Sequence, residues 1–148
     1  MQFVTQAGAI VSPGLGATLA LDARVVSGLY MGAQGGFFTD RHAGYPFVGA
    51  RASYRIDVET FRIVPTLGVA HVRVLKMDTY PFHVKYQTPI SITAGLQLAA
   101  QMGHFLVGCD FQIMPVHVTQ ESSAAFSSEI REETIYSVPI AVFMGATF

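Results

Sequence analysis

The sequence predicts an all-β fold: eight antiparallel strands running up and down and closing into one barrel, a single domain over residues 1–148. Three observations predict it. Residue character alternates with period two through most of the chain, which marks strands rather than helices. The connections between these stretches are short at one end and long at the other, with the short Ser12-Pro13-Gly14 link the one exception on the long side, as in a meander of hairpins. The composition also closes off rival classes: 51% of the residues are hydrophobic and 13% are charged, about half the charge of an average soluble domain. Disorder and charged tails are excluded on that ground.

The strands follow in order. A first, weaker one is predicted over Phe3–Val11. The second places Leu15, Ala17, Leu19, Leu21 and Ala23 against Gly16, Thr18, Ala20, Asp22 and Arg24. The third sets Leu29, Met31, Ala33, Gly35 and Phe37 against Tyr30, Gly32, Gln34, Gly36 and Phe38. In the fourth, Val48, Ala50, Ala52, Tyr54 and Ile56 alternate with Gly49, Arg51, Ser53 and Arg55. In the fifth, Phe61, Ile63, Pro65, Leu67 and Val69 oppose Arg62, Thr66 and Gly68. In the sixth, Ile90, Ile92, Ala94, Leu96 and Leu98 oppose Ser91, Thr93, Gly95 and Gln97. The seventh alternates Phe105, Val107, Cys109, Phe111 and Ile113 with Gly108, Asp110 and Gln112. The eighth carries Tyr136, Val138, Ile140, Val142, Met144, Ala146 and Phe148 on one face. Tight turns are predicted at Ala23–Gly28, Asp57–Glu59 and Gln101–Gly103, and long polar loops at Thr39–Pro46, Lys76–Thr88 and Thr119–Glu133.

Period two fits a soluble barrel with an apolar interior and a membrane barrel with an apolar exterior. Charge placement, aromatic placement and the last strand tip the balance between them, charge first. Asp22, Arg51, Arg55, Arg62 and Asp110 all lie on the polar face, among Gly, Ser, Thr, Gln and Ala, with no lysine in any strand core. A water-facing sheet is normally rich in Lys and Glu. This face instead has the character of a crowded interior in which charges must pair. The expected architecture is therefore an eight-stranded antiparallel up-and-down transmembrane β-barrel. Helical spans are excluded, since no window of about 18 residues is continuously apolar. Met1-Gln2-Phe3 lacks the basic leader and apolar core of a signal peptide, so an exported chain is expected to be a mature form with an added methionine.

On the apolar face, Tyr54, Phe61, Phe105 and Phe148 fall at the short-turn end, and Phe37 and Tyr136 at the long-loop end. Two aromatic rings of this kind are expected of interfacial girdles. The last strand, Tyr136, Val138, Ile140, Val142, Met144, Ala146 and Phe148, ends on phenylalanine with an apolar residue at every second position. This resembles the C-terminal assembly signal of small eight-stranded bacterial outer-membrane β-barrel proteins. The resemblance implies a Gram-negative outer membrane, with the lipid bilayer, lipopolysaccharide and the outer-membrane assembly machinery as partners. It also implies that the amino end and short turns face the periplasm. A net charge of −1 argues against nucleic acid.

Catalytic and metal chemistry find little support. His117-Val118-Thr119 is the nearest approach to the His-x-Ser motif that would resemble the lipid A deacylases, but threonine is a poor substitute for that nucleophile. Glu129, Glu132 and Glu133 follow in the predicted loop. Cys109 and Asp110 point to opposite faces. His71, His104 and His117 lie on different strands, and metal binding needs convergent ligands. One cysteine excludes cysteine-rich zinc sites. No catalytic residue, metal or cofactor is expected.

The candidate site is the inward polar network of Asp22, Arg51, Arg55, Arg62, Asp110, Gln34, Gln97 and Gln112, with the three arginines set against the two aspartates. Gly8, Gly16, Gly32, Gly36, Gly49, Gly68, Gly95, Gly108 and Gly145 share that face and suggest a wet, narrow lumen. Tyr45, Phe47, Tyr80, Phe82, Tyr86 and Phe126 place aromatics in or beside the loops, for partner contact or for folding over the mouth. The expected function is a non-enzymatic membrane protein with surface loops for structural or interaction roles. The alternatives are a narrow channel for small solutes, a lipid-modifying enzyme, and a soluble lipocalin-like binder of apolar ligands with the faces reversed.

Overall fold

The computed structural model describes residues 2–12, 14–39, 43–76, 84–87, 90–124 and 127–148. It contains twelve strand segments: β1 (Phe3–Ser12), β2 (Gly16–Val26), β3 (Leu29–Thr39), β4 (Ala43–Tyr54), β5 (Ile56–Val58), β6 (Phe61–Val72), β7 (Leu75–Lys76), β8 (Val84–Gln87), β9 (Ile90–Met102), β10 (Phe105–Ala124), β11 (Ser127–Ser137) and β12 (Ile140–Thr147). The neighbours around the barrel are β1-β2-β3-β4-β6-β9-β10-β12, and β12 pairs back onto β1. Every pairing is antiparallel, so the sheet is a closed up-and-down barrel of eight passages.

The twelve segments reduce to eight strands because prolines interrupt three of the ladders. The pairs Ser53–Thr66 and Ile56–Ile63 share one register, which sets Tyr54 opposite Pro65 between them. Pro46 stands opposite Arg73, between the Phe47–Val72 and Gly44–Leu75 pairs, and accepts a bond from the Arg73 N–H at 2.9 Å. Pro139 stands opposite Gln112, between Phe111–Ile140 and Met114–Ser137, and accepts from the Gln112 N–H at 3.0 Å. A proline has no N–H to return. Each ladder therefore breaks at the proline and resumes in the same register. β4–β5, β6–β7 and β11–β12 are single strands with a one-sided gap, and β8 and β9 both pair β10.

The strands run further than the alternation predicts. The short connections are bare turns at Ser27–Gly28, Glu59–Thr60 and Gly103–His104, two of them closed by glycines with positive φ. The Thr119–Glu133 loop is replaced by a long hairpin. β10 runs to Ala124 and pairs β11 from Met114 onward, with β8 on its other edge. The predicted loop at Lys76–Thr88 likewise contains Lys76 in β7 and Lys85 in β8, so lysine does enter strand segments there. Alternation disappears from the sequence where neither face need be apolar, while backbone pairing continues.

The outer face is mainly apolar: Leu19, Leu21, Met31, Val48, Leu67, Ile90, Ile92 and Met144 are all exposed on it. The interior is layered. Val4, Tyr30, Ala99, Leu106 and Phe143 form a buried cluster towards the short-turn end. Ile10, Phe38, Tyr45, Phe47, Val72, Met114 and Val116 belong to a second cluster towards the long-loop end.

The inward glycines have a steric cause. A β-carbon on Gly16 would lie 2.0 Å from the Phe37 carbonyl oxygen, and one on Gly49 would lie 2.3 Å from that of Val69. These residues let adjacent backbones close in on the curved wall of a narrow barrel. Gly49→Ala is expected to destabilise the folded barrel by about 1–3 kcal/mol. Gly35→Ala, whose nearest neighbour would be the Phe47 oxygen at 3.3 Å, is expected to cost less. Urea unfolding of both variants in one detergent checks the order.

Candidate functional site

The centre of the barrel is a polar network drawn from β1, β2, β3, β4, β9 and β10. Period two places Asp22, Gln34, Arg51, Gln97, Asp110 and Gln112 on the inner face, where all are buried. Arg51 is the hub. Its Nε donates to Asp22 Oδ1 at 3.0 Å and its Nη2 to Asp22 Oδ2 at 2.6 Å, a bidentate pair. The same Nη2 donates to Gln6 Oε1 at 2.7 Å, and Nη1 reaches Gln34 Oε1 at 3.5 Å. Asp110 Oδ2 lies 3.9 Å from Arg51 Nη1 and accepts from Gln97 at 3.0 Å and Gln112 at 2.9 Å. Gln112 also donates to Gln34 at 3.0 Å, and Gln6 and Gln97 are joined at 3.2 Å.

The predicted set of arginines against two aspartates holds only for Arg51. Arg55 and Arg62 do not join Asp22 and Asp110. Arg55 sets its guanidinium carbon over the Tyr30 ring, 3.4 Å from the centroid, and its backbone N–H bonds the Gly28 carbonyl at 2.8 Å. Arg62 pairs through Nε with Asp57 at 2.6 Å and donates through Nη2 to Gln101. Both arginines lie towards the short-turn end, too far along their strands to reach the central carboxylates. Gln6, Tyr30, Asp57 and Gln101 were not predicted partners. Gln6 and Tyr30 carry the inward parity that identifies them. Asp57 falls in a predicted turn, where parity gives no signal.

Against the wet, narrow bore suggested by the glycines, buried side chains cluster on both sides of the network. Phe38 stacks on Tyr45 with ring centroids 5.0 Å apart and packs tilted on Phe47 at 6.1 Å, capping the network at the long-loop end. The void between cap and network is about 10 Å³ and is bordered by Thr18, Asp110 and Gln112, room for about one water. Asp110 Oδ1 is buried there without a partner among the described residues. Of the loop aromatics, Tyr45 and Phe47 fold into the mouth. Tyr80, Phe82 and Phe126 lie outside the described residues, and Tyr86 is placed only as a backbone position in β8.

The other singled-out residues disperse. Phe37, Tyr54, Phe61, Phe105, Tyr136 and Phe148 are all exposed on the outer face, as are Val138, Val142 and Met144 of the last strand. His71 and His104 are exposed at opposite ends of the wall, and His117 pairs Thr134 through its backbone. Cys109 is half-buried on the outer face, away from Asp110.

No family model matches the chain, and no curated protein matches it. Its fold is that of small outer-membrane β-barrels. The N-terminal barrel domain of Pseudomonas aeruginosa OprF superposes with a TM-score of 0.72 at 10% identity, covering 99% of this chain and 97% of that one. OprG from the same organism gives 0.72 at 10%, covering 99% and 95%. Neisserial surface protein A gives 0.64 at 12%, covering 99% and 96%.

Removing one member of a buried ion pair strands the other. Arg51→Met alone is expected to cost about 3–5 kcal/mol. Asp22→Leu combined with Arg51→Met should recover most of that loss. A double-mutant cycle by urea unfolding checks the coupling, and additive losses would contradict it.

Proposed function

We propose that the chain is a non-enzymatic protein of a bacterial outer membrane, a self-sealed barrel that carries a β-sheet extension for contact with a surface partner. The observation that supports this most is the inversion of polarity. Large apolar side chains cover the outside, and the buried charges lie inside. In water such a surface would aggregate. In hydrocarbon it is the favourable one, and a closed ladder leaves no edge for lipid to strand.

The bilayer and its lipopolysaccharide then surround the wall. Phe37 and Tyr136 sit at one interface and Tyr54, Phe61, Phe105 and Phe148 at the other, as girdles. The apolar row of the last strand from Tyr136 to Phe148 serves as the assembly signal. The amino end and the short turns face the periplasm. Outside the membrane, β10 and β11 extend with β8 as a three-stranded sheet, a surface for protein, glycan or lipid contact. The stack of Phe38, Tyr45 and Phe47 favours this reading over a channel, because it closes the lumen above the Arg51 network. It favours it over a lipocalin-like binder as well, since the void between cap and network has room for about one water.

Heat-dependent mobility in SDS tests the membrane reading. A detergent-refolded barrel should migrate fast unboiled and slowly when boiled, and should give no stepwise conductance in planar bilayers. A single band, together with a monodisperse protein in the absence of detergent, would overturn it. Phe47→Ala is expected to open the cap and introduce conductance, which single-channel recording detects.

A further inference from the structure

The outward side of the wall carries one isolated cation. Among the outward-facing side chains that the structure describes, Arg73 on β6 is the only one with a permanent charge. It is exposed, and its guanidinium has no hydrogen bond or ion pair among the described residues. His71, two residues earlier on the same face, is exposed as well. The two backbones lie about 6.5 Å apart along the strand.

Two marks give the height of this pair on the barrel. Phe37 pairs Pro46, and the Arg73 N–H bonds the Pro46 carbonyl at 2.9 Å. Arg73 is therefore level with the exposed aromatic at the long-loop end of the wall. Counted from Phe61 at the other end, a crossing of about 9–11 tilted residues ends between Val69 and His71. Arg73 falls just past that limit, where a cation costs little and meets lipid headgroups. Towards the middle of the barrel the surface turns apolar. His71 pairs Val48 on one side and Ile90 on the other, and Val69 pairs Ile92. Val48, Val69, Ile90 and Ile92 are all exposed, so the cation stands at the edge of an apolar ledge.

We infer that Arg73 and His71 form a docking site for a phosphate of lipid A, the anchor of lipopolysaccharide, with one of its acyl chains lying on the ledge of Val48, Val69, Ile90 and Ile92. The inference rests on the outer-membrane orientation proposed above, which sets the long-loop end in the lipopolysaccharide leaflet. Charge complementarity selects the occupant. A phosphomonoester brings a charge of about −1.5 to −2 near pH 7, whereas a zwitterionic headgroup brings no net charge. The guanidinium fork matches the geometry of phosphate oxygens, and His71 adds a ring N–H on the same face. The ledge excludes water from one side of the ion pair, which strengthens it over a fully solvated one.

Native mass spectrometry of the full-length barrel in a non-ionic detergent, with lipid A added, tests the site. One lipid A per chain is expected to stay bound, at least about tenfold more than the same lipid stripped of its phosphates. That comparison uses the unaltered protein and depends on no variant folding. Arg73→Gln is expected to lower the bound fraction about tenfold and His71→Gln by less. Arg24→Gln, an exposed arginine at the opposite end, is expected to leave it unchanged. Equal retention of the dephosphorylated lipid overturns the proposal, as does full binding by Arg73→Gln, an equal loss in Arg24→Gln, or no binding of lipid A. Heat-dependent mobility in SDS, read on the same samples, separates the two levels. A barrel that shifts but shows no phosphate selectivity refutes this site alone. A protein without the shift removes the membrane reading and the site with it.

Discussion

The structure depends on closure of the backbone ladder between the first and last strands. β1 and β12 pair from Val4–Thr147 to Ile10–Ala141, and the carbonyl and N–H of Phe3 bond the N–H and carbonyl of Phe148, each at 3.0 Å. Without that seam the sheet has two open edges, each with a row of unpaired donors and acceptors. With it, every barrel strand has a neighbour on both sides. The wall's backbone polarity is then satisfied internally, and its outer surface is free to be wholly apolar.

Closure with eight strands fixes the size of the interior, and the interior fixes the remaining chemistry. A barrel this narrow has space for side chains and little else. The inner face meets that limit in two ways. Glycines such as Gly16 and Gly49 let neighbouring backbones approach where a β-carbon would collide. Between them, long polar side chains cross the lumen. Arg51 on β4 reaches Asp22 on β2 and Gln6 on β1, and Gln112 on β10 reaches Gln34 on β3. The Gln112–Gln34 bond joins opposite walls, and the Arg51 bonds join strands two and three places apart. The charges are costly to bury, but once paired they fix one arrangement of the strands.

The sequence makes the strand count and the facing of residues legible, because both follow from period two. Asp22, Arg51, Asp110 and the three glutamines face inward as the alternation requires. Partners are less legible. Parity assigns a side to Arg55 and Arg62 but says nothing of height along the barrel, and height decides which acid is in reach. Tyr30 was visible as an inward residue, yet its role as the platform for Arg55 depends on β3 and β4 pairing Tyr30 with Ser53. Strand ends are illegible for a different reason. Alternation reports that one face is apolar, and the β10–β11 hairpin continues past the level where that is so. Gln120, Glu121, Ser122 and Ser123 read as loop while their backbones remain paired.

The proline interruptions connect these levels. Pro46, Pro65 and Pro139 each break a ladder without shifting its register, so the inward set stays inward on both sides of the gap. A one-residue slip at Pro65 would have turned Arg55 or Arg62 outward into an apolar surface. The constant register keeps Arg55, Ser53 and Arg51 on one face of the same strand and Arg62, Val64 and Thr66 on the facing one. The central ion pair and the two arginines at the mouth are thus aligned in one column by the same feature that divides the strand. Local loss of a hydrogen bond is tolerated at these points because side-chain direction, which carries both sealing and charge placement, is unchanged across them.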